Sequence, residues 1–176
     1  MPNIDRAKRI EGWMSEPELL WLAEQAEKHR AIVEIGSYLG RSTRALADNT
    51  PGIVYALDDW YGPRDFPLTP EQRNLIPARF CENMAGVLLT KVRPIVTDHG
   101  CMDFVPPGDM VFIDGDHSYE SVHRDILHVK YNILFPDGLL CGHDWDVFEG
   151  VNRAVKELVP GFQVVPGTAI WYGEVK

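Results

Sequence analysis

Two short polar clusters in this chain carry residues able to do chemistry, and each follows an apolar run. Asp114-Gly-Asp-His117 comes directly after Met110 to Ile113, and His143-Asp-Trp-Asp146 comes after Gly138 to Gly142. Polar side chains at the C-terminal ends of neighbouring parallel strands collect at one edge of a sheet, so the two clusters are expected side by side. Asp114, His143 and Asp144 would then form a donor set for a divalent cation such as Mg2+ or Mn2+, with water and substrate oxygens completing six-coordination. Zinc is disfavoured because neither cluster contains a thiolate. The competing assignment makes Asp116 and His117 caps of one following helix, and Asp144 and Asp146 caps of the next. For Asp114, His143 and Asp144 together it is the poorer account, since it leaves two carboxylates converging without a cation.

A third candidate is Ile32-Val-Glu-Ile-Gly-Ser-Tyr-Leu-Gly-Arg-Ser-Thr43, where a buried-strand signal meets a glycine turn and a helix start. Gly36 and Gly40 let the backbone turn tightly beneath a ligand. Glu34 can accept a hydrogen bond from a cationic ligand but would repel a phosphate at the same loop. A dinucleotide turn would need G-x-G-x-x-G, and counted from Gly36 those later positions are Tyr38 and Arg41. Asp58, or Asp59 in its place, ends the next strand where a carboxylate can accept both hydroxyls of a ribose. Asp98 follows the third strand at a place suited to an adenine contact.

These residues need a scaffold, and the apolar periodicity supplies one. Glu16 to His29 carries a helical stripe with Ser15 as N-cap and Pro17 in the first turn. Strands are predicted at Ile32 to Ile35, Ile53 to Leu57, Val92 to Val96, Met110 to Ile113 and Gly138 to Gly142. A short helix capped by Ser42 or Thr43, a helix ending near Gly86, and one from Tyr119 to Leu134 lie between them. The tail differs: Phe162 to Val165 and Ala169 to Tyr172 are separated by too few residues for a parallel crossover, so they pair antiparallel. The fold class is α/β, a Rossmann-like doubly wound and mostly parallel seven-stranded sheet with an antiparallel C-terminal hairpin.

At 176 residues the chain is expected to be a single domain, 1–176. A net charge of -9 argues against a nucleic-acid footprint and against attraction to anionic membranes. No apolar run approaches a membrane span and the first residues are polar, so a cytoplasmic location is expected. Cys81, Cys101 and Cys141 form no C-x-x-C pair and read as reduced thiols. Trp13, Trp60 and Trp145 would suit either the core or the wall of a substrate pocket.

The acidic-x-Gly-x-x-x-Gly turn, Phe112-Ile-Asp-Gly-Asp-His-Ser-Tyr-Glu120 and Gly142-His-Asp144 together resemble a family of small bacterial class I S-adenosylmethionine-dependent methyltransferases. That family is related to the macrolide-sugar and catechol O-methyltransferases and to cephalosporin-hydroxylase-like proteins. The resemblance implies that Glu34, Gly36, Ser37 and Gly40 hold the methionine end of S-adenosylmethionine, that Asp58 holds its ribose, and that Asp98 lies near its adenine, with Asp114 beside the cofactor. It also implies a metal at Asp114, His143 and Asp144, with His117 at the position of the catalytic base, a lysine in catechol-type relatives. A histidine base would lose activity at low pH through its own protonation. The implied reaction is O-methylation of a small-molecule hydroxyl, with neither nucleic acid nor membrane as partner, and a second copy of the chain as the candidate to complete the pocket wall. The alternatives are a metal-dependent hydroxylase or other oxidoreductase on the same fold, and a non-catalytic cofactor-binding module.

Overall fold

The structure, a computed structural model, describes residues 1–62, 64, 68–97, 102 and 104–174. A single 3-10 turn, Ala7–Arg9, precedes helix α1, Glu16–Ala26. Then come β1 (Ala31–Ile35), α2 (Arg41–Asn49), β2 (Ile53–Asp58), α3 (Pro70–Asn83), β3 (Val92–Val96) and β4 (Gly108–Ile113). The chain ends with α4 (Tyr119–His128), a π-helical turn (Val129–Ile133), β5 (Leu134–Gly142), α5 (Glu149–Leu158), β6 (Gln163–Val164) and β7 (Trp171–Glu174).

The sheet order is β3-β2-β1-β4-β5-β7-β6. The first five strands in this order are parallel, β7 lies antiparallel to β5, and β6 lies antiparallel to β7. Continuous apolar runs suit the parallel strands because both sheet faces are covered. Ile32, Val54, Met110 and Phe112 pack with Leu19, Leu22, Leu46 and Phe80 from α1, α2 and α3. Their sequence neighbours Val33, Ile35, Val111 and Ile113 point the other way, against Val122, Ile126, Val151 and Val155 of α4 and α5. Alternate side chains of each strand therefore serve two separate apolar layers.

The register decides what gathers at the site edge. Ile35 is aligned with Leu57 and Ile113, and Ile113 with Gly142. Each ladder runs one bond further: Gly36 N–H donates to Leu57 O, Asp114 N–H to Ile35 O and His143 N–H to Ile113 O, at 2.8, 2.8 and 3.0 Å. Gly36, Asp114 and His143 thus leave the sheet in step at its C-terminal edge.

Several boundaries depart from the sequence expectations. Helix α2 starts at Arg41 with Gly40 as N-cap, at φ 87°, so Ser42 and Thr43 lie inside its first turn and do not cap it. The helix expected from Tyr119 to Leu134 changes to a π turn after His128. Strand β5 begins at Leu134, earlier than Gly138, across a register shift opposite Gly108 and Met110. The antiparallel tail is present, with β7 inserted between β5 and β6.

Candidate active site

The edge where the strands end forms one wall of a cavity of about 440 Å³. The turn contributes Gly36, Ser37 and Tyr38, β2 contributes Asp58 and Asp59, and the two polar clusters contribute Asp114, Asp116, His117, His143 and Asp144. Trp13 and Glu18 come from the N-terminal segment, and Phe148 from the loop before α5.

The turn is built against the fourth strand. Gly36 has φ 90°, and a Cβ there would stand 2.1 Å from the Asp114 carbonyl oxygen, so only glycine lets the two backbones meet. Asp58 anchors the other side: its Oδ2 accepts from the N–H groups of Ser37 and Tyr38 at 2.8 and 2.7 Å, and its Oδ1 from that of Trp60 at 2.6 Å. Burial raises the Asp58 carboxyl and Asp59 adds to this, against the lowering effect of these N–H donors.

Glu34 is fully buried and lies beneath the turn, outside the cavity wall. Its Oε2 accepts from Ser37 Oγ at 2.7 Å and from Thr43 Oγ1. Burial, with a smaller push from Asp114, raises its carboxyl to about 7 despite those hydroxyls. The expectation that Glu34 touches a cationic ligand is therefore corrected: the side chain ties strand β1 to α2 and shapes the turn from below. Gly40 is also outside the wall, packed against Phe80 and Met84. Asp98 lies outside the described residues.

Asp114, His143 and Asp144 do converge. One oxygen from each carboxylate and one ring nitrogen lie within 4.8 Å of one another. His143 Nδ1 stands 3.2 Å from Asp144 Oδ1 and 3.6 Å from Asp114 Oδ1, and Nε2 stands 3.1 Å from Glu18 Oε1. Burial acts to lower the His143 pKa, yet Asp114, Asp144 and Glu18 hold it up at about 11. Burial and the Asp144 charge push Asp114 up to about 6 although His143 opposes this. Burial would raise Asp144, but bonds from His117 and His143 hold it well below the usual carboxylate range. A buried imidazole between two half-buried carboxylates, with this surplus of negative charge, fits a hard divalent cation.

His117 Nε2 lies 2.9 Å from Asp144 Oδ2, and its ring stacks on Phe148 at 4.0 Å between centroids and 7° between planes. Asp144 therefore turns one oxygen to the cluster and the other to His117. Asp116 Oδ1 accepts from Ser118 N–H at 2.7 Å, and Ser118 is the N-cap of α4, so Asp116 supports that helix start while lining the cavity.

Residues 33–145, well over half of the chain, match a family whose description is Methyltransferase domain. The chain belongs to that family. No curated protein sequence matches this methyltransferase. Among solved structures it is similar to a SAM-dependent O-methyltransferase from Thermotoga maritima, at 13% identity and TM-score 0.67, covering 97% of this chain and 70% of that one. It is also similar to the SAH-bound methyltransferase PaMTH1 of Podospora anserina, at 15% identity and TM-score 0.64, covering 91% and 78%. The fibrillarin pre-rRNA processing protein of Methanococcus jannaschii has the same architecture at 16% identity and TM-score 0.57, covering 85% and 67%. At such identities the likeness is one of fold: the Rossmann-like, mostly parallel sheet with antiparallel C-terminal strands of class I methyltransferases.

Two contributors to the methyltransferase's cavity are invisible to motif spacing. Glu18 reaches it from α1, and its only sequence signal is Ser15-x-x-Glu18, a helix-start pattern. Arg41 holds the cavity-lining segment before α1: its Nε donates to Met14 O at 2.8 Å and its Nη1 to Lys8 O and Ile10 O at 3.1 and 2.6 Å. Of the three tryptophans, Trp13 lines the cavity beside Tyr38, whereas Trp60 and Trp145 are buried in the two apolar layers. Among the described residues, no helix is long and apolar enough to cross a membrane.

Proposed function

We propose that this methyltransferase transfers the methyl group of S-adenosylmethionine to a hydroxyl oxygen of a small molecule, assisted by a divalent cation, Mg2+ or Mn2+, at Asp114, His143 and Asp144. The observation that carries this reading is the meeting, in one cavity, of the Gly36 to Tyr38 turn with that donor set and His117. The turn and Asp58 hold the cofactor, with Glu34 and Gly40 shaping the turn from beneath.

The cavity wall favours an acceptor without phosphates. It carries the carboxylates of Glu11, Glu18, Asp58, Asp59, Asp114, Asp116 and Asp144 against the guanidinium groups of Arg41 and Arg64. Arg41 donates to main-chain carbonyls, and Arg64 pairs with Asp59 and Asp116 at 3.6 and 3.3 Å. An anionic acceptor would meet net repulsion there. A small neutral hydroxyl compound suits the wall better than a nucleic acid.

A bound divalent cation supplies Lewis acidity that lowers the pKa of a hydroxyl and fixes its direction. His117 accepts the hydroxyl proton, its ring held by the pairing of Nε2 with Asp144 at 2.9 Å and by the stack on Phe148. As the O–C bond forms, the C–S bond of the sulfonium breaks, and its electron pair stays on sulfur as neutral S-adenosylhomocysteine. Alignment of the acceptor with the methyl group is the main contribution of the turn and the donor set.

Calorimetric titration with S-adenosylhomocysteine is expected to show saturable binding to the wild-type protein, and absence of any heat or thermal shift overturns the cofactor assignment. Asp114→Ala is expected to abolish stimulation of methyl transfer by Mg2+ or Mn2+. Methyl transfer that persists undiminished in a chelator overturns the cation's part.

A further inference from the structure

We propose that Glu18 is the positioning residue of the cation site: its carboxylate pairs with Nε2 of His143 and so keeps Nδ1 turned toward Asp114 and Asp144. This rests on the cation assistance proposed above. The contact joins residues from opposite ends of the fold, since Glu18 is in the first turn of α1 and His143 follows β5.

The geometry separates the two nitrogens by role. Nε2 forms an ion-pair contact with Glu18 Oε1 at 3.1 Å, outside hydrogen-bond alignment, while Nδ1 faces Asp144 and Asp114. A neutral ring protonated at Nε2 has its lone pair at Nδ1, on the side of the donor set. Donation of the remote N–H to a carboxylate also makes a ligating imidazole more basic and fixes its plane.

Glu18 is held by groups other than His143, so it can act as a fixed reference. Its Oε2 accepts from Ser15 N–H and Ser15 Oγ, both at 2.7 Å, and its Oε1 accepts from Ala169 N–H at 2.9 Å. Both Glu18 and His143 are buried. The backbone of His143 is fixed in turn by its N–H on Ile113 O and by Trp171 Nε1, which donates to His143 O at 3.2 Å. Glu18 therefore settles the remaining freedom, the rotation of the ring.

The test is titration of MnCl2 alone, without cofactor, into wild-type protein, Glu18→Gln and Ser15→Ala. Ser15→Ala removes one donor to Glu18 but leaves the carboxylate and His143 in place. Glu18→Gln is expected to weaken Mn2+ binding by about 10–100-fold, with S-adenosylhomocysteine affinity within about twofold of wild type; Ser15→Ala is expected to bind Mn2+ like wild type. Wild-type protein that binds no Mn2+ overturns the cation assistance and this inference with it. Wild type that binds while Glu18→Gln binds equally well overturns the role of Glu18 alone. Should Glu18→Gln fail to fold, long-range proton–nitrogen spectra of Mg2+-saturated wild type decide the matter: a His143 proton on Nε2 supports the assignment, and one on Nδ1 overturns it.

Discussion

Glu34 shows how a single buried carboxyl can set both a turn and a pH dependence. Its folded pKa of about 7 lies above the ordinary 4.5, so the unfolded chain ionises first as pH rises. Burial of Glu34 therefore weakens the fold progressively between about pH 4.5 and 7 and by a constant amount above. A tenfold difference in proton affinity between the folded and unfolded chains is worth about 1.4 kcal/mol, so the loss from pH 5 to pH 8 is on the order of 2 kcal/mol. Urea denaturation of Glu34→Gln at the two pH values is expected to show a smaller fall than wild type; an unchanged difference would remove Glu34 from the account. The glycines of the same turn make a second comparison. Gly36→Ala sets a Cβ against the backbone of Asp114 and Gly115, whereas Gly40→Ala meets the flexible Met84 Cε at 2.6 Å and the Phe80 ring. Both positions have positive φ, but only Gly36 has no side chain that can yield. Gly36→Ala is expected to cost about 3 kcal/mol or more and to abolish S-adenosylhomocysteine binding, with Gly40→Ala costing clearly less.

At the level of elements, the parts that read well from sequence are those fixed by local pattern. Strand β3 has the bounds its sequence predicts, and β1 and β2 depart by only one residue; the apolar residues of β1 and β2 suit parallel strands inside a sheet covered on both faces. The start of α2 differs from its sequence pattern because the hydroxyl of Thr43, a plausible cap by type, is drawn to Glu34 on β1 while Gly40 takes the N-cap position. Asp114, His143 and Asp144 are legible because strand register brings successive strand ends together. Glu18 is not, because its contact with His143 is made by α1 packing across the sheet edge, and the apolar stripe of α1 marks only the buried face. Arg41 is hidden for the same reason. Its guanidinium fastens three carbonyls of residues 8–14, joining the helix after the glycine turn to the segment ahead of α1. Arg41→Met, which keeps most of the stem, is expected to cost about 2–3 kcal/mol and to speed hydrogen exchange and proteolysis ahead of α1 before global unfolding. Equal protection of that segment in both proteins would show that other contacts hold it.

Across the whole molecule the buried charges oppose one another, and their balance moves with pH. Burial acts to raise Glu18, but bonds from His143, Ala169 and Ser15 bring it down to about 2, so its stabilising share is complete above the ordinary 4.5 and is lost as pH falls toward 2. Asp144 is lowered too and acts in the same direction. His143, held up at about 11, stabilises fully below its ordinary 6.5 and loses that share as pH rises from 6.5 through 11. Asp114 and Glu34, both raised mainly by burial, destabilise increasingly as pH climbs from about 4 to 7. Acid therefore removes the ion pairs, while rising pH first charges two buried carboxyls, between about 4 and 7, and then weakens the imidazolium. Chelator-treated protein is expected to melt highest near pH 4 to 4.5 and progressively lower toward pH 9. Added Mg2+ or Mn2+ should act against that decline, because a cation at the proposed site would need both carboxylates ionised and His143 Nδ1 unprotonated, states that high pH favours. At a hundredfold excess over its dissociation constant the gain is about 2.7 kcal/mol, several degrees in Tm and larger at pH 8 than at pH 5. Thermal melts at the two pH values, with and without the cation, measure this directly. An equal shift at both would mean that the bound ion does not displace the Nδ1 proton, and would place it elsewhere on this acidic surface.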